Sequence, residues 1–136
     1  MSGQSYLKAP TKYSFRFDAG NNGNETFTIF GPKGKKGRLV NYGVEAITEA
    51  FVAECTIAVG TAADPDAYGD EIALGAQAVD TVESLRTLYD PVADKAAFDA
   101  LLVQPHLPAD TAVVMTVVDD TTSGIGEFFM EIVWDD

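Results

Sequence analysis

Few residues in this sequence could serve as nucleophiles, bases or metal ligands, and they do not group. Cys55 is the only cysteine and His106 the only histidine. A zinc site, or a Cys/His or Ser/His pair, would need a second chain or unusual ligands. Cys55 lies in an alternating apolar segment with Phe51, Ala53, Ile57 and Val59, where a thiol serves as a small hydrophobe. His106 sits in Gln104-Pro105-His106-Leu107-Pro108, whose prolines forbid regular structure, so a loop position is expected. With one cysteine no intrachain disulfide can form, and stability has to come from packing.

Carboxylates are the commoner chemistry. Asp64, Asp66, Asp70 and Glu71 cluster in the loop from Gly60. Such oxygens can hold calcium, but an EF-hand loop counted from Asp64 would put Tyr68 at its fifth position and Gly75 where the bidentate glutamate belongs. Turn chemistry is expected there, with no metal and no cofactor. Asp64/Asp66 and Asp119/Asp120 also resemble the paired acids of glycoside hydrolysis, one protonated and one charged. In glycine-rich loops acid pairs are more often solvated turn residues, so no catalytic residue is assigned and an enzyme is not expected. Tyr68, Tyr89 and Trp134 could stack on sugars, though packing in the core or an interface is the stronger reading.

The segment Gly31-Pro32-Lys33-Gly34-Lys35-Lys36-Gly37 joins three glycines to three lysines. A Walker loop needs its lysine followed by Ser or Thr at the mouth of a helix, and here Gly37-Arg38-Leu39-Val40 starts an extended run. A basic, solvated interaction loop is the better reading. Residues 1–38 hold seven basic side chains (Lys8, Lys12, Arg16, Lys33, Lys35, Lys36, Arg38) against two acidic ones, a net of +5, and the remainder holds two basic against nineteen acidic, a net of −17. That split makes one region attractive to acidic surfaces while the body repels polyanions, so nucleic acid is not an expected partner.

The elements that must position these groups are mostly strands. The chain has 136 residues, 46% apolar and 22% charged, the balance of one globular domain. No apolar run reaches the roughly 20 residues of a membrane span, and the opening MSGQSYLKAP lacks the apolar stretch of a secretory signal, so neither membrane nor export is expected. Residues 1–10 read as an N-terminal arm, and 11–136 as a single domain. Alternation predicts strands over 12–18, 25–30, 38–47 (with Val40, Tyr42, Val44 and Ala46 on the apolar face), 50–59, 111–118 and 128–135. A short strand at Ile72–Leu74 and an extended stretch over 79–89 complete about seven strands. Asp90-Pro91 followed by Ala96, Ala97, Phe98, Leu101 and Leu102 predicts one short helix of about three turns. The strand at 111–118 is apolar on both faces and belongs inside a sheet or an interface. Periodicity thus predicts an antiparallel all-β sandwich or barrel with one short helix.

Several stretches resemble a known group of proteins. GKKGRLVNYGVEAITEAFVAECTIAVG (34–60), followed by TAADPDAYGDEIALG (61–75), is similar to head-associated virion proteins of tailed bacteriophages, in which a loop of the PKG kind precedes a strand. LPADTAVVMTVV (107–118) and SGIGEFFMEIVWD (123–135) look like the last strands of the same proteins. The resemblance implies a jelly-roll-like β-sandwich on the outer capsid surface of the virion, often a homotrimer, made in the host cytoplasm. It implies a cement or decoration protein that binds the major capsid protein lattice and stabilises the head. A neck, tail or head-fibre component and a carbohydrate- or receptor-binding module are the alternatives. The residues expected to meet the partner are Tyr6, Leu7, Lys8, Lys12, Lys33, Lys35, Lys36 and Arg38, cations in an arm and an open loop with Tyr6 and Leu7 adding apolar anchoring.

Overall fold

The computed structural model describes residues 9–19, 25–52, 55–73, 77–84, 106–119 and 123–135. They form nine strands: β1 (Thr11–Asp18), β2 (Glu25–Ile29), β3 (Gly37–Glu49), β4 (Cys55–Gly60), β5 (Gly69–Ala73), β6 (Glu83–Ser84), β7 (His106–Leu107), β8 (Val113–Asp119) and β9 (Ile125–Trp134). The elements among the described residues are all strands, and the helix expected after Asp90 lies outside those residues.

Every pairing is antiparallel. One sheet runs β1-β9-β3-β6 with β7 beside the start of β3, and the other runs β2-β8-β4-β5. Alternating apolar residues on the inner faces meet in one core. Phe17, Leu39, Tyr42, Val44, Phe128, Met130 and Ile132 come from the first sheet, and Ile29, Ile57, Val59, Val113, Met115 and Val117 from the second. Two half-buried surfaces closing on each other in this way define a β-sandwich. At one end Phe17, Phe51 and Phe128 cluster, with ring centroids 5.1 to 6.2 Å apart.

β3 departs from simple alternation. Its inward residues are Leu39, Tyr42, Val44 and Ile47, while Val40 is half-buried and Ala46 is exposed, so the expected apolar face of Val40 and Ala46 is corrected. The register with β9 shifts between Leu39 and Asn41 and again between Glu45 and Glu49. Each irregularity adds residues opposite the partner strand and reverses which parity points inward. Ala46 absorbs the second one with φ of 51°. Of the strand expected over 50–59, the described residues show β4 from Cys55, and Phe51 makes a separate bridge to Gln77, as the chain passes from the first sheet to the second between β3 and β4. His106, expected in a loop, instead pairs with Arg38 of β3. Over 79–84 only Glu83–Ser84 pairs.

β8 and β9 are interior strands of their sheets, and part of the apolar material on their outward faces is buried as well. Val114 on β8, and Phe129 and Val133 on β9, are buried although they point away from the core cluster. The strand expected inside a sheet or an interface at 111–118 is thus an interior strand, β8.

An alanine in the left-handed region costs about 1–2 kcal/mol, and glycine there loses only about 0.4–1 kcal/mol through the unfolded chain. Urea denaturation should accordingly show Ala46→Gly as stable as the parent or up to about 1 kcal/mol more stable, and Ala46→Val at least about 1 kcal/mol less stable. Equal stability of the valine variant would mean that this backbone irregularity is not where the structure puts it.

Candidate functional site

The basic loop 30–36 crosses from β2 in one sheet to β3 in the other. Its tip is a turn in which Lys35 N–H donates to the Pro32 carbonyl at 3.1 Å and Gly34, third of the four residues, has φ of +74°. Those features match a type II turn, whose third position needs a positive φ and so favours glycine. Lys33 stands at the second position, exposed to solvent.

Three contacts fasten this loop to the sandwich. Gly34 N–H donates to Asp110 Oδ1 at 2.8 Å, a carboxylate on the turn between β7 and β8. Asp135 N–H donates to the Lys36 carbonyl at 2.8 Å, carrying the ladder past the end of β9. Gly31 and Gly37 lie flat on the indole of Trp134, so close that a Cβ would fall 2.2 Å and 2.6 Å from ring carbons. Trp134 is itself held by donating Nε1–H to Tyr13 Oη at 2.8 Å. A cationic loop with this many fixed points has little freedom left to lose on binding. Beside it, Ala9, Thr11, Pro32, Lys35, Trp134 and Asp135 line a shallow, open depression of about 340 Å³.

The expected partner-binding residues do not all share this place. Lys33 and Lys36 are exposed on the loop, Lys35 is half-buried at the depression, and Arg38 is half-buried at the start of β3 between Val133 and His106. Lys12 stands apart on the outer face of the first sheet. Its Nζ lies 2.5 Å from Glu45 Oε2 and 4.6 Å from the ring centroid of Phe129, so its charge is met inside the chain. Tyr6, Leu7 and Lys8 lie outside the described residues.

Sequence reasoning missed Phe30. Its side chain is 78% exposed, the most open large apolar side chain among the described residues. The signal was parity: Phe27 and Ile29 turn toward the core, so Phe30 shares the outward phase of Thr26 and Thr28. The roles of Asp110 and Trp134 left no local signal, since both are far from the loop in sequence.

Among the described residues, the other candidate groups named from the sequence lie outside this loop. Tyr68, considered as a sugar platform, is buried in the core, and burial raises its hydroxyl pKa. Tyr89 lies outside the described residues. Asp64 is fully exposed, and a side-chain hydrogen bond with Asp66 raises its pKa. Its own backbone closes the loop: Asp64 N–H donates to Thr61 Oγ1 at 3.0 Å, and its carbonyl accepts from the N–H groups of Thr61 and Ala67 at 2.9 and 3.1 Å. The carboxyl pair thus tops a self-capped turn. Among the described residues no three His, Cys, Asp or Glu side chains converge where a metal ion could sit.

No protein-family model, no curated protein and no solved structure matches this chain.

The attachment of the loop can be read through Trp134, the only tryptophan. Gly31→Ala should force the indole aside, shift its fluorescence and cost about 1–3 kcal/mol by overpacking. A variant with parental emission and parental stability would show that the loop does not rest on Trp134.

Proposed function

We infer that this chain is a structural virion protein of a tailed bacteriophage, a cement or decoration protein that binds the outer surface of the major capsid protein lattice and stabilises the head. The observation that carries this reading is the loop 30–36, a cationic turn held rigidly at one end of an otherwise acidic sandwich. Cations carried on a fixed backbone and set away from the core fit the recognition of an acidic protein surface, where they raise the rate of encounter and select the partner. The strongly acidic remainder keeps the particle surface soluble and turns away nucleic acid.

The strand order supports a jelly-roll form of the sandwich. With the two-residue β7 set aside, the pairs β1–β9, β2–β8, β3–β6 and β4–β5 are those made when one long antiparallel hairpin is rolled so that its halves face each other, the two-Greek-key pattern common in capsid domains. Fold alone does not give function, so the loop has to bear the argument.

Charge reversal at Lys33, Lys35 and Lys36 should slow docking onto expanded heads at least about tenfold at low salt and leave the isolated protein folded. Parental docking should also weaken as salt rises, because exposed charges are screened over about 8 Å at 0.15 M ionic strength. If the triple variant binds heads as fast and as tightly as the parent at every salt concentration, the charge split serves solubility alone and the reading is wrong.

We also propose a homotrimer. Among the described residues Val52, Val79 and Val82, each about half exposed or more, are apolar material available for its contacts. Light scattering across a wide concentration range should give three times the chain mass; monomer throughout would exclude a preformed trimer.

A further inference from the structure

We propose that Phe30 is the apolar anchor of the docking surface, and that its counterpart is a protein surface on which an apolar socket is rimmed by carboxylates. This rests on the basic loop being the docking element, and it adds what that loop alone lacks, a residue able to supply binding energy that salt does not screen.

Four large apolar side chains are strongly exposed among the described residues: Phe30, Val52, Val79 and Val82. Only Phe30 is aromatic, and only Phe30 adjoins the lysines. Its exposure follows from how its neighbours are held. Ile29 is buried in register with Val113, and Gly31 is pressed against Trp134, so the backbone on both sides of Phe30 is set and the ring is left facing out. Two residues of chain, Gly31 and Pro32, separate it from Lys33, a span of at most about 11 Å. The arrangement is an aromatic centre with a cationic rim.

Aromatic side chains carry much of the energy at protein interfaces because they bury a large rigid area while freezing only two torsions. Charged residues belong at the rim, where they direct approach. Aromatic rings and lysines could also hold single-stranded nucleic acid, by stacking and phosphate contacts. The −17 carried by residues 39–136 opposes a polyanion that would have to lie along the body, whereas a protein patch of matching size meets only the loop.

The test is co-sedimentation with expanded heads, at low and high salt, for the parent, Phe30→Ala, Phe30→Leu and the triple lysine reversal. Phe30 is not part of the core, so all variants should keep the parental denaturation midpoint. Phe30→Ala should lose at least about tenfold in affinity at both salt concentrations, and Phe30→Leu should keep most of it. The loss from the lysine reversal should shrink as salt rises. If Phe30→Ala binds like the parent while the lysine reversal does not, the anchor is wrong and the basic-loop reading stands. If the parent itself fails to sediment with heads, both fall. Two further results would overturn the anchor: Phe30→Ala splitting a parental oligomer in light scattering, which would make the occupant a second copy of this chain, or Phe30-dependent binding of a single-stranded oligonucleotide, which would make it nucleic acid.

Discussion

The pairing of β9 with both β1 and β3 is the constraint on which the molecule is built. Ile125–Trp134 is hydrogen-bonded along one edge to Thr11–Asp18 and along the other to Gly37–Glu49. Without it the first sheet has no centre. The same return sets the second sheet, because β8 enters between β2 and β4 as the chain approaches β9. Both central strands therefore come from the last quarter of the sequence, and their partners come from the first half. Contacts so distant along the chain cost loop-closure entropy before they repay it. Burial of Phe128, Met130, Ile132, Met115 and Val117 is what offsets that cost.

Trp134 extends this constraint to the surface. It is the last residue of β9, it is tied to β1 through Tyr13, and Gly31 and Gly37 rest on its ring. The loop that presents Lys33 and Lys36 is thus fixed by the same strand that closes the sheet. Two glycines are needed because any side chain at those positions would occupy the volume of the indole. A third, Gly34, is needed for its positive φ. The high glycine content of this loop reflects close approach to Trp134 and turn geometry more than flexibility.

Charge is divided in space as well as along the chain. Lys12 is neutralised beside Glu45 and lies over Phe129, where it helps cover the outer face of the first sheet with its aliphatic stem. Lys33 and Lys36 have no such cover. Two lysines that look alike in composition therefore do different work, one holding the sheet surface and the other facing whatever approaches the loop. Asp110 is a carboxylate turned to structural use, accepting from Gly34 N–H and so fastening the tip of the basic loop.

Much of the architecture was legible in the amino-acid order, because apolar alternation depends only on which neighbours of a strand face water. Residues 12–18, 25–30, 111–118 and 128–135 announced β1, β2, β8 and β9, and apolar residues on both faces of 111–118 announced an interior strand. The glycine- and lysine-rich composition of 31–37 announced an exposed basic loop. What local pattern could not decide was everything set by a partner strand. The parity of β3 reverses at Val40 and Ala46 because β9 opposite them is shorter by the extra residues, and nothing in the order of residues 38–47 records the length of β9. Phe51 looked like part of one strand with Ile57 until the crossing between sheets separated them. Lys12 and Lys33 carry the same charge, and only the folded positions of Glu45 and Phe129 tell them apart. The footing of the loop on Trp134 and Asp110 joins residues about a hundred and about eighty positions apart, a proximity that arises when the last strand closes the sheet and that no local rule contains.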